Sequence, residues 1–88
     1  MLALDMTVTY EDGRTVDIVC KTPDFLAFEA HFDKAFTVLS SDARLTYLMF
    51  LAWAAIKRTG GTDKSLEEWA VDVSMVRRAT QKPETLRG

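Results

Sequence analysis

The feature that most constrains this chain is the run LTYLMFLAWAAIKRTG, Leu45 to Gly60. From Leu45 to Ile56 nothing is polar except Thr46 and the Tyr47 hydroxyl. A helix of this composition is apolar on all sides, and such helices are either wrapped by their own fold or completed by a partner. The run is too short for a membrane span, which needs about 20 apolar residues. It reads as a central helix, either wrapped completely by the rest of the chain or left in part for a partner.

The chain has 88 residues, enough for one domain. A chain of this size buries only about 60–65% of the surface it exposes when unfolded, so its core is thin and a supplement is expected. A single cysteine, Cys20, excludes an internal disulfide and reads as a small buried apolar residue. A single histidine, His31, leaves no Cys/His cluster for a metal. Oligomerisation or partner binding remains as the expected supplement. The net charge of −2 has no basic stripe, so no nucleic-acid partner is expected. The opening MLALDMTVTY has neither the basic region nor the apolar run of a secretory signal, and a cytoplasmic protein is expected.

Leu4, Met6, Val8 and Tyr10 alternate with polar residues, as do Val16, Ile18 and Cys20, with Val19 out of phase. These are two half-buried strands joined at Glu11-Asp12-Gly13-Arg14. A two-residue Asp12-Gly13 loop would place Val8 opposite Asp17 and mix the faces. Pairing Tyr10 with Val16, Val8 with Ile18 and Met6 with Cys20 gives one apolar face, so an odd-length loop with Gly13 at positive φ is expected.

Thr22-Pro23-Asp24 reads as a helix start, with the Thr22 hydroxyl as cap. That helix, about 23–36, carries Phe25, Phe28, Phe32 and Phe36 on one stripe, a pattern that belongs in a core. Glu29 sits beside the stripe and must reach solvent or a partner. The central helix is expected over about 42–59 and is stopped by Gly60-Gly61. Ser65 and Glu68 form a capping box that opens a third helix, about 65–79. Arg77 and Arg78 then favour its C-terminal dipole, as Lys57 and Arg58 do in the helix before. Residues 80–88, TQKPETLRG, are polar with a proline and read as a loose tail. The expected fold is α+β: one domain over residues 1–79, an antiparallel hairpin (4–21) followed by three helices.

On a helical wheel the central helix has two faces. Leu45, Leu48, Met49, Ala52, Trp53, Ala55 and Ile56 are assigned to the core. Tyr47, Phe50, Leu51 and Ala54 lie opposite, edged by Thr46, Lys57 and Arg58. Either the hairpin covers this back face, or it awaits a partner. The thin core favours the partner, and Tyr47, Phe50, Leu51 and Ala54 are the candidate contact residues. No catalytic or cofactor-binding arrangement emerges: one His and one Cys make no convincing nucleophile–base pair, and Gly60-Gly61-Thr62 lacks Walker spacing. A helix-turn-helix would begin its recognition helix with Glu67 and Glu68, which repel phosphates.

The order of features, with FLAWAAIKRTG followed by SLEEWAVDV, resembles the small tail assembly chaperones of long-tailed bacteriophages. The likeness runs from about Leu4 to Val76 and is strongest from Leu48 to Val73, where LAW-x-A-x-(K/R)-(K/R)-x-G pairs with EEW-x-x-D-V. It implies a non-enzymatic factor that holds the tape measure protein, a long helical rod, soluble while tail tube subunits polymerise, and then leaves. It also implies contact with tail tube protein, self-association, a place in the host cytoplasm and absence from the mature virion. Many such proteins have a longer form made by ribosomal frameshifting. Rival readings are a small head–tail or tail completion adaptor that stays in the particle, and a DNA-binding regulator.

Overall fold

A computed structural model describes residues 3–42 and 44–78 of the chain. The fold is mixed α+β. Strands β1 (Ala3–Tyr10) and β2 (Thr15–Lys21) form the hairpin, followed by helix α1 (Thr22–Phe32) and a 3₁₀ turn (Phe36–Ser40). Then come α2 (Leu45–Arg58), a short α3 (Leu66–Val71) and strand β3 (Val73–Arg78). The sheet is antiparallel in the order β2-β1-β3, with the first strand in the middle.

The hairpin has the expected parity and a different register. Val8 faces Val16, Met6 faces Ile18 and Leu4 faces Cys20, two residues from the expected pairing. Both registers keep one apolar face; the turn chooses between them. Gly13 at φ 92° donates its N–H to the Tyr10 carbonyl at 2.9 Å, and Tyr10 N–H reaches the Arg14 carbonyl at 2.8 Å. The loop is therefore Glu11-Asp12-Gly13, a three-residue connection with a left-handed residue at its end.

Helix α1 starts differently from expectation. Lys21, not Thr22, is the cap residue, and its N–H donates to the Asp24 carboxylate at 2.9 Å. The helix also stops at Phe32 rather than Phe36. Asp33 turns left-handed at φ 55°, a conformation that a short polar side chain tolerates. The Glu29 carboxylate then accepts the Phe36 N–H at 2.8 Å, which gives that acid its partner. Phe36 still joins the core from the 3₁₀ turn, its ring 5.5 Å from Phe25.

The third helix is the larger correction. The expected helix over 65–79 ends at Val71, and Val73–Arg78 is a strand on the far side of β1. The capping box is present, with Ser65 Oγ accepting from Glu68 N–H, but a start signal sets no length. Val73 and Val76 are β-branched and suit a pleated surface better than a helix. As a strand, the segment satisfies the backbone of β1 and buries Val76. Arg77 and Arg78 therefore lie opposite Thr7 and Met6, not at a helix terminus. Residue 79 and the expected tail 80–88 lie outside the described residues.

The inner face of the sheet contributes Met6, Val8, Cys20 and Val76 to the core, all buried. Helix α2 lies over that face and runs from Leu45 to Arg58 rather than 42 to 59. Helix α1 packs antiparallel beside it: Arg58 at the end of α2 meets Asp24 at the start of α1, and Tyr47 meets Phe32 at the opposite end. Phe28 is fully buried where the two helices touch, with ring centroids 4.9 Å from Phe32 and 5.3 Å from Tyr47.

This packing overturns the expected division of α2. Tyr47, Phe50 and Leu51 are 5, 4 and 0% exposed, and Ala54 is half-buried. They are core, not a surface left for a partner. The reason is that α1 brings Phe28 and Phe32 onto the Tyr47 and Phe50 side. The sheet closes the Leu51 side, where Cys20 S–H donates to the Leu51 carbonyl at 3.3 Å. Ala52, Ala55 and Ile56 are buried as expected, but Leu45 is exposed, and Leu48, Met49 and Trp53 are only half-buried.

Candidate protein-docking groove

Among the described residues no group of three or more His, Cys, Asp or Glu is placed to hold a metal. No described helix is long and apolar enough to cross a membrane. The one thiol is sealed. Burial, with the Asp24 charge nearby, pushes Cys20 up to about 12. His31 lies on the surface at the end of α1 and stacks on Phe50, ring centroids 4.6 Å apart at 22°. The two residues most suited to nucleophilic chemistry are thus occupied in packing.

What the fold offers instead is a groove of about 610 Å³ between α1 and the exposed side of α2, closed at one end by the start of α3. It arises from side-chain size. Ala27 and Ala30 lie on α1 away from its phenylalanine stripe and leave the wall low, while Phe50 supplies the floor. Trp53 stands at the other wall, with its Nε1–H donating to the Lys64 carbonyl at 3.0 Å and the Lys57 ammonium 5.0 Å from its ring. Leu66, the first residue of α3, completes the apolar lining, and Ser65 and Glu67 form the rim beside it.

The wall is held by the connection between α2 and α3. Gly60 at φ 84° and the Gly61 N–H bond to the Ile56 carbonyl at 2.8 Å end α2 and turn the chain. Lys64 pairs with Asp72 at 3.1 Å across α3. Trp69 pins α3 to the sheet, its Nε1–H directed at the Tyr10 hydroxyl at 3.2 Å and the two rings edge to face. The groove is thus an open trough, apolar below and charged at the rim by Lys57 and Glu67. That is the shape and chemistry that take the apolar face of an amphipathic helix.

A second recess, about 230 Å³, lies between the start of β1, Phe25, the 3₁₀ turn and Arg78. It falls below the usual size of a ligand pocket, about 300–1,000 Å³.

Of the four residues expected to meet a partner, only Phe50 lines the groove, and only as its buried floor; Tyr47, Leu51 and Ala54 do not line it. Trp53, assigned to the core face of the central helix, lines it instead, together with Leu66. Ala27 and Ala30 carried the overlooked signal: two small apolar residues three apart on α1, opposite its phenylalanines.

No family model matches this chain, and no curated protein or solved structure matches it either.

Proposed function

We propose that this protein is a non-enzymatic assembly chaperone of the long-tailed phage type, which holds helical segments of a tape measure protein in the groove between α1 and α2. One observation carries the reading. The two sequence halves that resemble such chaperones, FLAWAAIKRTG and SLEEWAVDV, are separate in the chain, yet both contribute to one trough. Phe50, Trp53 and Lys57 come from the first, and Ser65, Leu66 and Glu67 from the second. A rod client exposes many similar helical faces, so modest contacts repeated along it accumulate through avidity. On this reading the protein acts in the host cytoplasm, meets tail tube subunits as the client is coated, self-associates along the rod and is absent from the finished virion.

The test is co-expression of the full chain with a tape measure protein, scored by the soluble fraction of the client. Ala30→Glu and Leu66→Glu place a charge in the trough, and Ala30 is an exposed helix position where substitution disturbs folding little. Both variants are expected to fold and to leave the client insoluble where wild type keeps it in solution. Full activity in both variants would refute the groove as the client site. Recovery of the protein from purified virions would favour the structural adaptor instead.

A further inference from the structure

Each side of the three-stranded sheet ends in an edge, and the β2 edge is chemically exposed to misuse. Its sequence, TVDIVCK, is rich in β-branched residues, lacks Gly and Pro, and carries one acid and one base that cancel. Strands of that composition pair readily with other chains when their backbone is free. The register says which groups are free. Tyr10 bonds Arg14, so every second residue from there, Val16, Ile18 and Cys20, turns its backbone groups to β1. Thr15, Asp17, Val19 and Lys21 turn theirs to the open side.

Two of these outward groups are already taken. Arg58 Nη2 donates to the Val19 carbonyl at 3.2 Å, and the Lys21 N–H donates to Asp24 Oδ2 at 2.9 Å. Arg58 and Asp24 also hold each other through two bonds, Nε to Oδ1 at 3.0 Å and Nη2 to Oδ2 at 2.9 Å. The result is one bracket, anchored on α2 and α1, across two successive pairing sites of the strand. Among the described residues the Thr15–Asp17 end and the Val19 N–H stay open, a stretch at the short limit of an ordinary strand of about 3–10 residues. The opposite edge is protected by other means: β3 is irregular next to Tyr10 and ends in Arg77 and Arg78.

We propose that the Arg58–Asp24 bracket is an autoinhibitory contact that keeps β2 from pairing, edge to edge, with β2 of a second copy of this chain. This inference is independent of the chaperone reading, since the bracket and the groove lie on different parts of the fold. Removing the guanidinium frees the Val19 carbonyl and loosens the carboxylate that holds Lys21 N–H.

The experiment is sedimentation velocity over a concentration series on the full chain. It compares wild type, Arg58→Gln, Arg58→Lys, and each with Val19→Pro added. The Val19 N–H faces outward, so proline there removes a donor that only a docking strand would use. An Ile56→Ala variant, matched to Arg58→Gln in urea midpoint, controls for destabilisation alone. The Arg58→Gln protein is expected to associate at concentrations about tenfold lower than wild type, the worth of one regained backbone bond or a little more. The Arg58→Lys protein, whose single ammonium serves Asp24 or Val19 but not both, is expected to fall between them and carries the test if Arg58→Gln does not fold. Val19→Pro is expected to abolish the gain in both. The proposal is overturned if the Arg58 variants keep the wild-type size, if their association survives Val19→Pro, or if Ile56→Ala associates equally. It is also overturned if Val19→Pro reduces association of the wild type, because the edge would then be open already.

Discussion

Replacing Tyr47 by alanine separates the two fates open to the apolar back of the central helix. Tyr47 is 5% exposed, and its ring meets Phe28 at 5.3 Å and Phe32 at 5.0 Å, both edge to face. Truncating a buried aromatic to alanine costs about 3–5 kcal/mol, through lost transfer energy and the cavity left behind. A chain of this length has a total stability of about 4–13 kcal/mol. The substitution therefore removes a large share of it. With a urea m-value of about 1 kcal/mol/M, the midpoint should fall by roughly 3 M, or the protein should be unfolded without denaturant.

Two neighbours calibrate the measurement. No hydrogen bond to the Tyr47 hydroxyl forms among the described residues, so Tyr47→Phe should stay within about 0.5 kcal/mol of wild type. Leu45 is 60% exposed at the start of the same helix, and Leu45→Ala should do the same. Urea unfolding followed by tryptophan fluorescence and far-ultraviolet circular dichroism reads all three. A Tyr47→Ala midpoint within about 0.5 M of wild type, together with loss of client binding, would refute the reasoning, because a core aromatic cannot be removed so cheaply. The charged pair Tyr47→Asp with Phe50→Asp should not fold at all, for the same reason.

Cys20 gives a pH prediction with a definite sign. Burial holds its thiol at about 12 against an ordinary value near 9, so the fold binds the proton more tightly than the unfolded chain does. That contribution is intact below pH 9 and is lost as pH rises from 9 towards 12, by about 1.4 kcal/mol per unit. Cys20→Ala should flatten this part of the alkaline stability curve, and native Cys20 should resist iodoacetamide until the protein unfolds. Asp24 is 2% exposed and accepts from both Lys21 N–H and Arg58; Asp24→Asn should lower stability by about 2–3 kcal/mol in urea titration. Gly13 has open space around its Cα but sits at φ 92°, so Gly13→Ala should cost about 1–2 kcal/mol in the same assay through backbone strain alone.

Local signals in this chain were legible where one physical effect dominated. Alternation along Leu4–Tyr10 and Val16–Cys20 defines the apolar face of the hairpin, because a slip of one residue exposes every core side chain. A slip of two leaves the face unchanged, so the register was settled only by the left-handed Gly13 turn. The Ser65–Glu68 box marked a helix start, but the helix length depended on β1 needing a second partner, a tertiary demand that no helix signal records. Valines at 73 and 76 were the trace of that demand, and the late arginines, read as dipole partners, masked it.

The central helix failed to reveal its surface for a related reason. When every position is apolar, the wheel carries no contrast, and which side is buried is decided by what packs on it. Four phenylalanines in α1 and the 3₁₀ turn needed apolar neighbours, and Tyr47 and Phe50 were the large aromatic residues within reach of Phe28 and Phe32. Their burial turned Trp53 outward, and a half-buried tryptophan beside two alanines is what makes a trough rather than a ridge. The docking surface thus follows from side-chain volume on α1 as much as from apolarity on α2. Filling the Ala27–Ala30 side should close it even with every residue of α2 unchanged.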